Sequence, residues 1–111
     1  MPIVIKSLLI VLLCLASLAA IALEQSQILQ RAERLIIQHR LLTRAELNCS
    51  TLALDESKGS VATVSVREKH DMRCGGAPEV APRRFTMEFN LKTGVVLWDN
   101  NIEMEMKPIP R

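Results

Sequence analysis

Two stretches of this chain, residues 61–69 and 84–91, alternate apolar and polar side chains, and the 13 residues 70–82 that lie between them cannot be sheet. Residues 70–82 hold Gly75-Gly76, Pro78 and Pro82. Proline has no N–H to give a central ladder, and glycine admits the positive φ that tight turns need. The segment is therefore a loop between two strands, longer than most strand connections and in the range where loops are functional or disordered. It also carries Cys74, His70 and Arg73, with Arg83 and Arg84 just beyond it. An anchored loop of this kind limits the chain to folds in which 61–69 and 84–91 are near neighbours.

A second cysteine supplies the anchor. Residues 1–22 have the three parts of an export leader: Lys6, an apolar run over 7–20, and Ala20-Ile21-Ala22 as a small-x-small cleavage site. Cleavage there starts the mature chain at Leu23, and the apolar run over 7–23 is shorter than the ~20 residues that span a bilayer. Leu12 and Leu13 stand before Cys14 where a lipoprotein signal needs small residues. The mature part retains Cys49 and Cys74, and an even pair in an exported chain reads as a disulfide. Closing such a loop contributes on the order of 3 kcal/mol by chain entropy, which matters in a domain too small to build a large core. Without Lys6 the chain keeps 13 Lys+Arg against 12 Asp+Glu. That balance argues against a nucleic-acid binder or a protein of anionic membrane surfaces.

In chain order, Leu29, Ala32, Leu35 and Ile36, widened by Ile28 and Ile37, predict an amphipathic helix over 23–40. Thr43-Arg44-Ala45-Glu46 is a capping box that opens no more than a turn. Strands follow over 47–56, 61–69, 84–91 and 95–99. Phe85, Met87, Phe89 and Leu91 are expected to face the core, and Lys92-Thr93-Gly94 to form a hairpin turn with glycine at positive φ. Residues 100–111 read as an extended tail with room for a short edge pairing. These elements predict a single α+β domain over 23–111: an N-terminal helix packed on a four-stranded antiparallel sheet, with one disulfide.

Chemistry is harder to place. His70 and Cys74 sit four apart, but with Cys49 and His39 they match no standard zinc spacing, so no metal or cofactor is expected. An oxidised cysteine is no nucleophile, and there is no Cys-x-x-Cys. No catalytic set is assigned. The candidate contact residues are Arg67, His70, Arg73, Arg83 and Arg84, grouped around the loop, with Glu68, Asp71 and Glu79 interleaved to offset their charge. Arginine forks are the natural contacts for any anionic group that binds there.

The run Val66-Arg67-Glu68-Lys69-His70, then Cys74-Gly75-Gly76-Ala77-Pro78, Ala81-Pro82-Arg83, Phe85 and Lys92-Thr93-Gly94 resembles a recurrent pattern in small exported proteins of Gram-negative bacteria. The resemblance covers residues 47–99. Members of that uncharacterised family carry an acidic residue after the two glycines, where this chain has Ala77. The helix and the Lys92-Thr93-Gly94-Val95-Val96 hairpin are more loosely similar to periplasmic PepSY-type modules. The resemblance implies a periplasmic location and no mechanism.

Three functions are compatible with these features. The leading expectation is a small periplasmic protein-binding module, an inhibitor, immunity or accessory protein whose partner is another envelope protein. The alternatives are a metal-dependent or hydrolytic envelope enzyme using His70, and an accessory protein held in the membrane by an uncleaved leader.

Overall fold

The computed structural model describes residues 24–110; the leader assigned to residues 1–22 lies outside them. Helix α1 runs through 24–38. It buries Ile28, Ala32 and Ile36, a four-residue spacing that keeps one stripe toward the sheet. Leu29 and Leu35 pack along its margin, while Ile37 is exposed. The helix ends where the Leu41 N–H donates to the Ile36 carbonyl at 2.9 Å and the Arg40 N–H to Ile37 at 3.3 Å. Arg40 takes the left-handed conformation, φ 53°, at the position where such helix ends usually place glycine. Leu41 then folds back onto the core. No helix among the described residues is long and apolar enough to cross a membrane.

The expected capping box is present. The Thr43 hydroxyl accepts the Glu46 N–H at 3.1 Å, and the Thr43 N–H donates to Glu46 Oε1 at 2.8 Å. It opens a short helix, α2, Arg44–Asn48. Leu47, expected to begin a strand, belongs to this helix instead, because the capped turn carries the chain up to Cys49.

The sheet is an antiparallel meander of five strands in the order β1-β2-β3-β4-β5: β1 Ser50–Lys58, β2 Val61–Glu68, β3 Arg83–Asn90, β4 Val96–Trp98 and β5 Lys107–Pro108. The expected count of four is corrected by β5, which pairs Leu97 with Pro108 and Trp98 with Lys107. Its proline is tolerated because β5 is the outermost strand, where a missing N–H breaks no further ladder. Leu91, expected in the core, is 38% exposed. The strand stops at Asn90, whose side-chain oxygen accepts the N–H groups of Lys92 and Thr93 at 3.0 Å each. Gly94 then takes the expected positive φ, 78°.

The register explains the core. Ala62, Val64 and Val66 lie opposite Phe89, Met87 and Phe85, and all six are buried against α1. Leu52 and Leu54 extend this layer on β1, and Val96 and Trp98 on β4. Phe85 and Trp98 meet edge to face with centroids 5.2 Å apart. Arg31 of α1 lies 5.5 Å over the Phe89 ring and donates to the Gly94 carbonyl at 2.9 Å. The helix is thereby fixed to the β3–β4 turn as well as to the sheet face.

Two bulges break the ladders. One falls between Leu54 and Glu56 on β1 and leaves Asp55 without an opposite residue; Asp55 accepts the hydroxyl of the buried Ser65 at 3.0 Å. The other falls on β3, where Phe85 faces Val66 and Arg83 faces Arg67, leaving Arg84 as the extra residue. This second bulge shapes the candidate site.

Candidate functional site

The loop over 70–82 is ordered from its base. Cys49, the residue that ends α2, is joined to Cys74 with their Cα atoms 5.6 Å apart. The expected disulfide is therefore formed, and it ties the α2–β1 junction to the β2–β3 loop. The Lys69 N–H donates to the Cys49 carbonyl at 2.8 Å, which carries the β1–β2 pairing up to the bridge. On the return leg, the Glu68 N–H donates to the Pro82 carbonyl at 2.8 Å and Arg67 Nη1 to Ala81 at 3.0 Å.

Asp71 organises the tip. Its Oδ1 accepts the N–H groups of Cys74 at 2.7 Å and Arg73 at 3.0 Å, and its carbonyl accepts the Gly75 N–H at 2.8 Å. The Cys74 N–H chiefly, then that of Arg73 and the nearby Lys69, hold this carboxyl below its usual range. Between Asp71 and Gly75, which form a single β-bridge, Met72 projects fully exposed beside the exposed Arg73.

His70 closes the base. One ring nitrogen, Nδ1, lies 2.9 Å from the Ala77 carbonyl, and the other, Nε2, 2.8 Å from Glu68 Oε2. A carbonyl and a carboxylate only accept, so both contacts are made together only by the doubly protonated imidazolium. The bond to Glu68 first, and that to Ala77 second, raise the His70 pKa above its ordinary value. In that doubly protonated form the ring keeps no lone pair for a base or a metal. Among the described residues, no group of three or more His, Cys, Asp or Glu side chains is placed to hold a metal ion.

The bulge at Arg84 separates the two adjacent arginines. Arg83 lies on the face away from α1, where Nη1 bonds both oxygens of Asp99 at 2.8 and 2.7 Å. Asp99 also accepts the Thr86 N–H at 2.7 Å. Arg84 turns to the α1 side, the side on which Glu68 continues the series Ala62, Val64, Val66. There its Nη1 stands 3.7 Å from Glu46 and 4.0 Å from Glu68.

Of the five nominated residues, His70 and Arg84 thus converge on Glu68. Arg67 secures the return leg, Arg73 flanks the tip, and Arg83 belongs to a separate cluster. The sequence reading missed Asp99 as the partner of Arg83; sixteen residues separate them and no local pattern links them. It identified Glu46 only as a capping residue, though the same carboxylate also faces Arg84.

Two depressions are relevant. A pocket of about 170 Å³ lies at the loop base, bounded by the disulfide, Glu68, His70, the two glycines and Arg84. A larger one of about 620 Å³ lies between α1 and the α2–β1 corner, lined in part by Gln25, Leu29, Glu33, Arg44 and Leu52. The larger groove shares no lining residue with the loop-base pocket and has none of its titratable cluster. Comparison with family models, curated proteins and solved structures finds no match to this chain.

Proposed function

We propose that this protein is a small periplasmic protein-binding module, of the inhibitor, immunity or accessory kind, and that it meets an envelope partner through the tip of its stapled loop. The observation that carries this reading is Met72, a large apolar side chain left wholly in solvent on a turn that the disulfide and Asp71 hold in one shape. A pre-ordered loop loses little conformational entropy on docking. Methionine adapts its shape to the surface it meets, and the adjacent Arg73 supplies a charge to orient the approach. The periplasmic location rests on the leader read in residues 1–22 and is compatible with the disulfide, which persists in oxidising compartments. The non-enzymatic character rests on His70, whose two nitrogens are both committed, and on two cysteines that are oxidised.

The test is a photo-crosslinking amino acid placed at position 72, with the exposed position 57 near the far end of β1 as control, expressed in the native host and irradiated in intact cells. The proposal predicts one protein adduct of defined mass from position 72, absent from 57 and lost when Asp71→Ala loosens the turn. No adduct at 72, or equal adducts at both positions, overturns the docking role of the tip. Loss of a hydrolytic activity in His70→Ala with the fold retained would instead establish the enzyme reading.

A further inference from the structure

The guanidinium of Arg84 is largely buried, with the side chain 19% exposed, and it is poorly bonded. Its contacts are all long: 3.5 Å from Nη2 to the Cys49 carbonyl, 3.7 Å to Glu46 and 4.0 Å to Glu68. Its Nε is buried with no hydrogen-bond partner among the described residues. An arginine has five N–H donors in a fixed fork, and a mostly buried fork with no short bond is unusual, since such groups are costly unless paired. The two carboxylates offset its charge but stand too far off to satisfy its hydrogens.

Glu68 is anchored by His70 through Oε2 at 2.8 Å, and its Oε1 faces Arg84 at 4.0 Å. Glu46 is held by the Thr43 N–H in the capping box. Each acid is anchored through one oxygen, and the two oxygens that face Arg84, Glu46 Oε2 and Glu68 Oε1, stand beyond hydrogen-bond reach. The pocket that Arg84 lines at the loop base is also lined by Lys69, and its wall at Gly75 and Gly76 carries no side chain. A Cβ at Gly75 would meet nothing within 4 Å, so this side of the pocket is open to approach. At about 170 Å³, the space suits a small polar group and not a drug-sized ligand.

We propose that this pocket is an oxyanion site, in which the Arg84 fork, assisted by Lys69, takes the paired oxygens of a carboxylate or of a phosphate-type anion. Planar, two-oxygen recognition is what a guanidinium does best. Because Glu46 and Glu68, with Asp71 beside Lys69, already offset Arg84, Lys69 and the His70 imidazolium, binding draws on short hydrogen bonds and not on net charge, which disfavours spherical anions such as chloride. The site goes beyond the docking role of the tip and does not depend on it, since Met72 does not line the pocket.

The experiment is a titration of the oxidised mature domain, followed by the resonances of Arg84 Nε–H and the Gly75 and Gly76 amides, with acetate, inorganic phosphate and chloride at matched ionic strength. The proposal predicts saturable shifts with acetate or phosphate, none with chloride, and binding at least about tenfold weaker in Arg84→Gln, the loss of one charge-assisted bond. Arg84→Lys, which keeps charge but not the fork, should weaken binding as well, while an unchanged Trp98 indole resonance certifies the fold. Tighter acetate binding points to a protein or metabolite carboxylate as the source, and tighter phosphate binding to a free tetrahedral anion. Unsaturable shifts, an equal response to chloride, or unchanged binding in Arg84→Gln overturns the proposal.

Discussion

The imidazole of His70 occupies the space that a side chain on Gly76 would need. A β-carbon built on Gly76 stands 2.7 Å from the ring Cγ and Nδ1 and 2.8 Å from Cδ2, and the residue has φ +80°. Gly75 has nearly the same φ, +79°, but nothing within 4 Å. The two glycines of the Cys-Gly-Gly run therefore serve different ends, one only for backbone conformation and one also for contact with the histidine.

That difference is measurable. Gly75→Ala should destabilise by about 1–2 kcal/mol through left-handed strain alone, and Gly76→Ala by roughly 2–4 kcal/mol because a clash is added. In a His70→Ala background the excess cost at Gly76 should largely disappear. Denaturant midpoints of the four variants check this; equal costs at both glycines would show that the ring does not press on Gly76.

The loop also sets how stability varies with pH. The folded pKa of His70 is raised, so its contribution is complete below the unfolded value near 6.5 and is lost as pH rises through the folded value. The folded pKa values of Asp71 and of Glu46, the latter lowered first by the Thr43 N–H, lie below their unfolded values. Their contributions are complete above the ordinary carboxyl range and are lost as pH falls through the folded values. Stability should accordingly decline on the alkaline side in wild type, and much less in His70→Gln. An NMR titration should place the His70 midpoint above 6.5; a midpoint at or below it would mean that Glu68 and Ala77 do not hold the imidazolium.

Arg83 and Arg84 should respond differently to truncation although they are adjacent. Arg83 and Asp99 are 27% and 12% exposed and joined by two short bonds, so Arg83→Ala should cost about 1–2 kcal/mol. A double-mutant cycle with Asp99→Ala should recover a coupling of about 1 kcal/mol or more. Arg84→Ala should show a smaller coupling to Glu46. Thermal unfolding of these variants is the measurement, and equal couplings would mean that the bulge does not divide the pair.

At the end of α1, Arg40 holds a conformation that glycine adopts freely. Arg40→Gly should raise stability by about 0.5–1 kcal/mol. A loss in chemical denaturation would show that the arginine side chain makes a compensating contact.

The parts of this structure visible in the sequence are those governed by local periodicity or by parity. The recurrence of Leu29, Ala32, Leu35 and Ile36, widened by Ile28, located the helix face, although its buried centre is Ile28, Ala32 and Ile36 with Leu29 and Leu35 at the margin. The alternation of Phe85, Met87 and Phe89 defined the central strand. An even count of cysteines in the expected mature chain pointed to the bridge, and Lys92-Thr93-Gly94 to the turn. What could not be read depends on the register of a finished sheet. The bulge that turns Arg84 away from Arg83 arises only when β3 is laid against β2. The Arg83–Asp99 pair needs β4 in place, and β5 is two residues recognisable only by what they pair with. The His70–Gly76 contact joins two residues singled out for other reasons, but only the folded loop brings one onto the other.

The central claim is an exported module whose loop is pinned by Cys49 and Cys74, and intact-mass analysis of the protein purified from its host's envelope, alkylated before and after reduction, tests it most directly. The account predicts a chain beginning at Leu23 that takes no alkylating label until reduced and then takes two. A chain that retains residues 1–22, or one whose Cys49 and Cys74 are labelled without reduction, would contradict it.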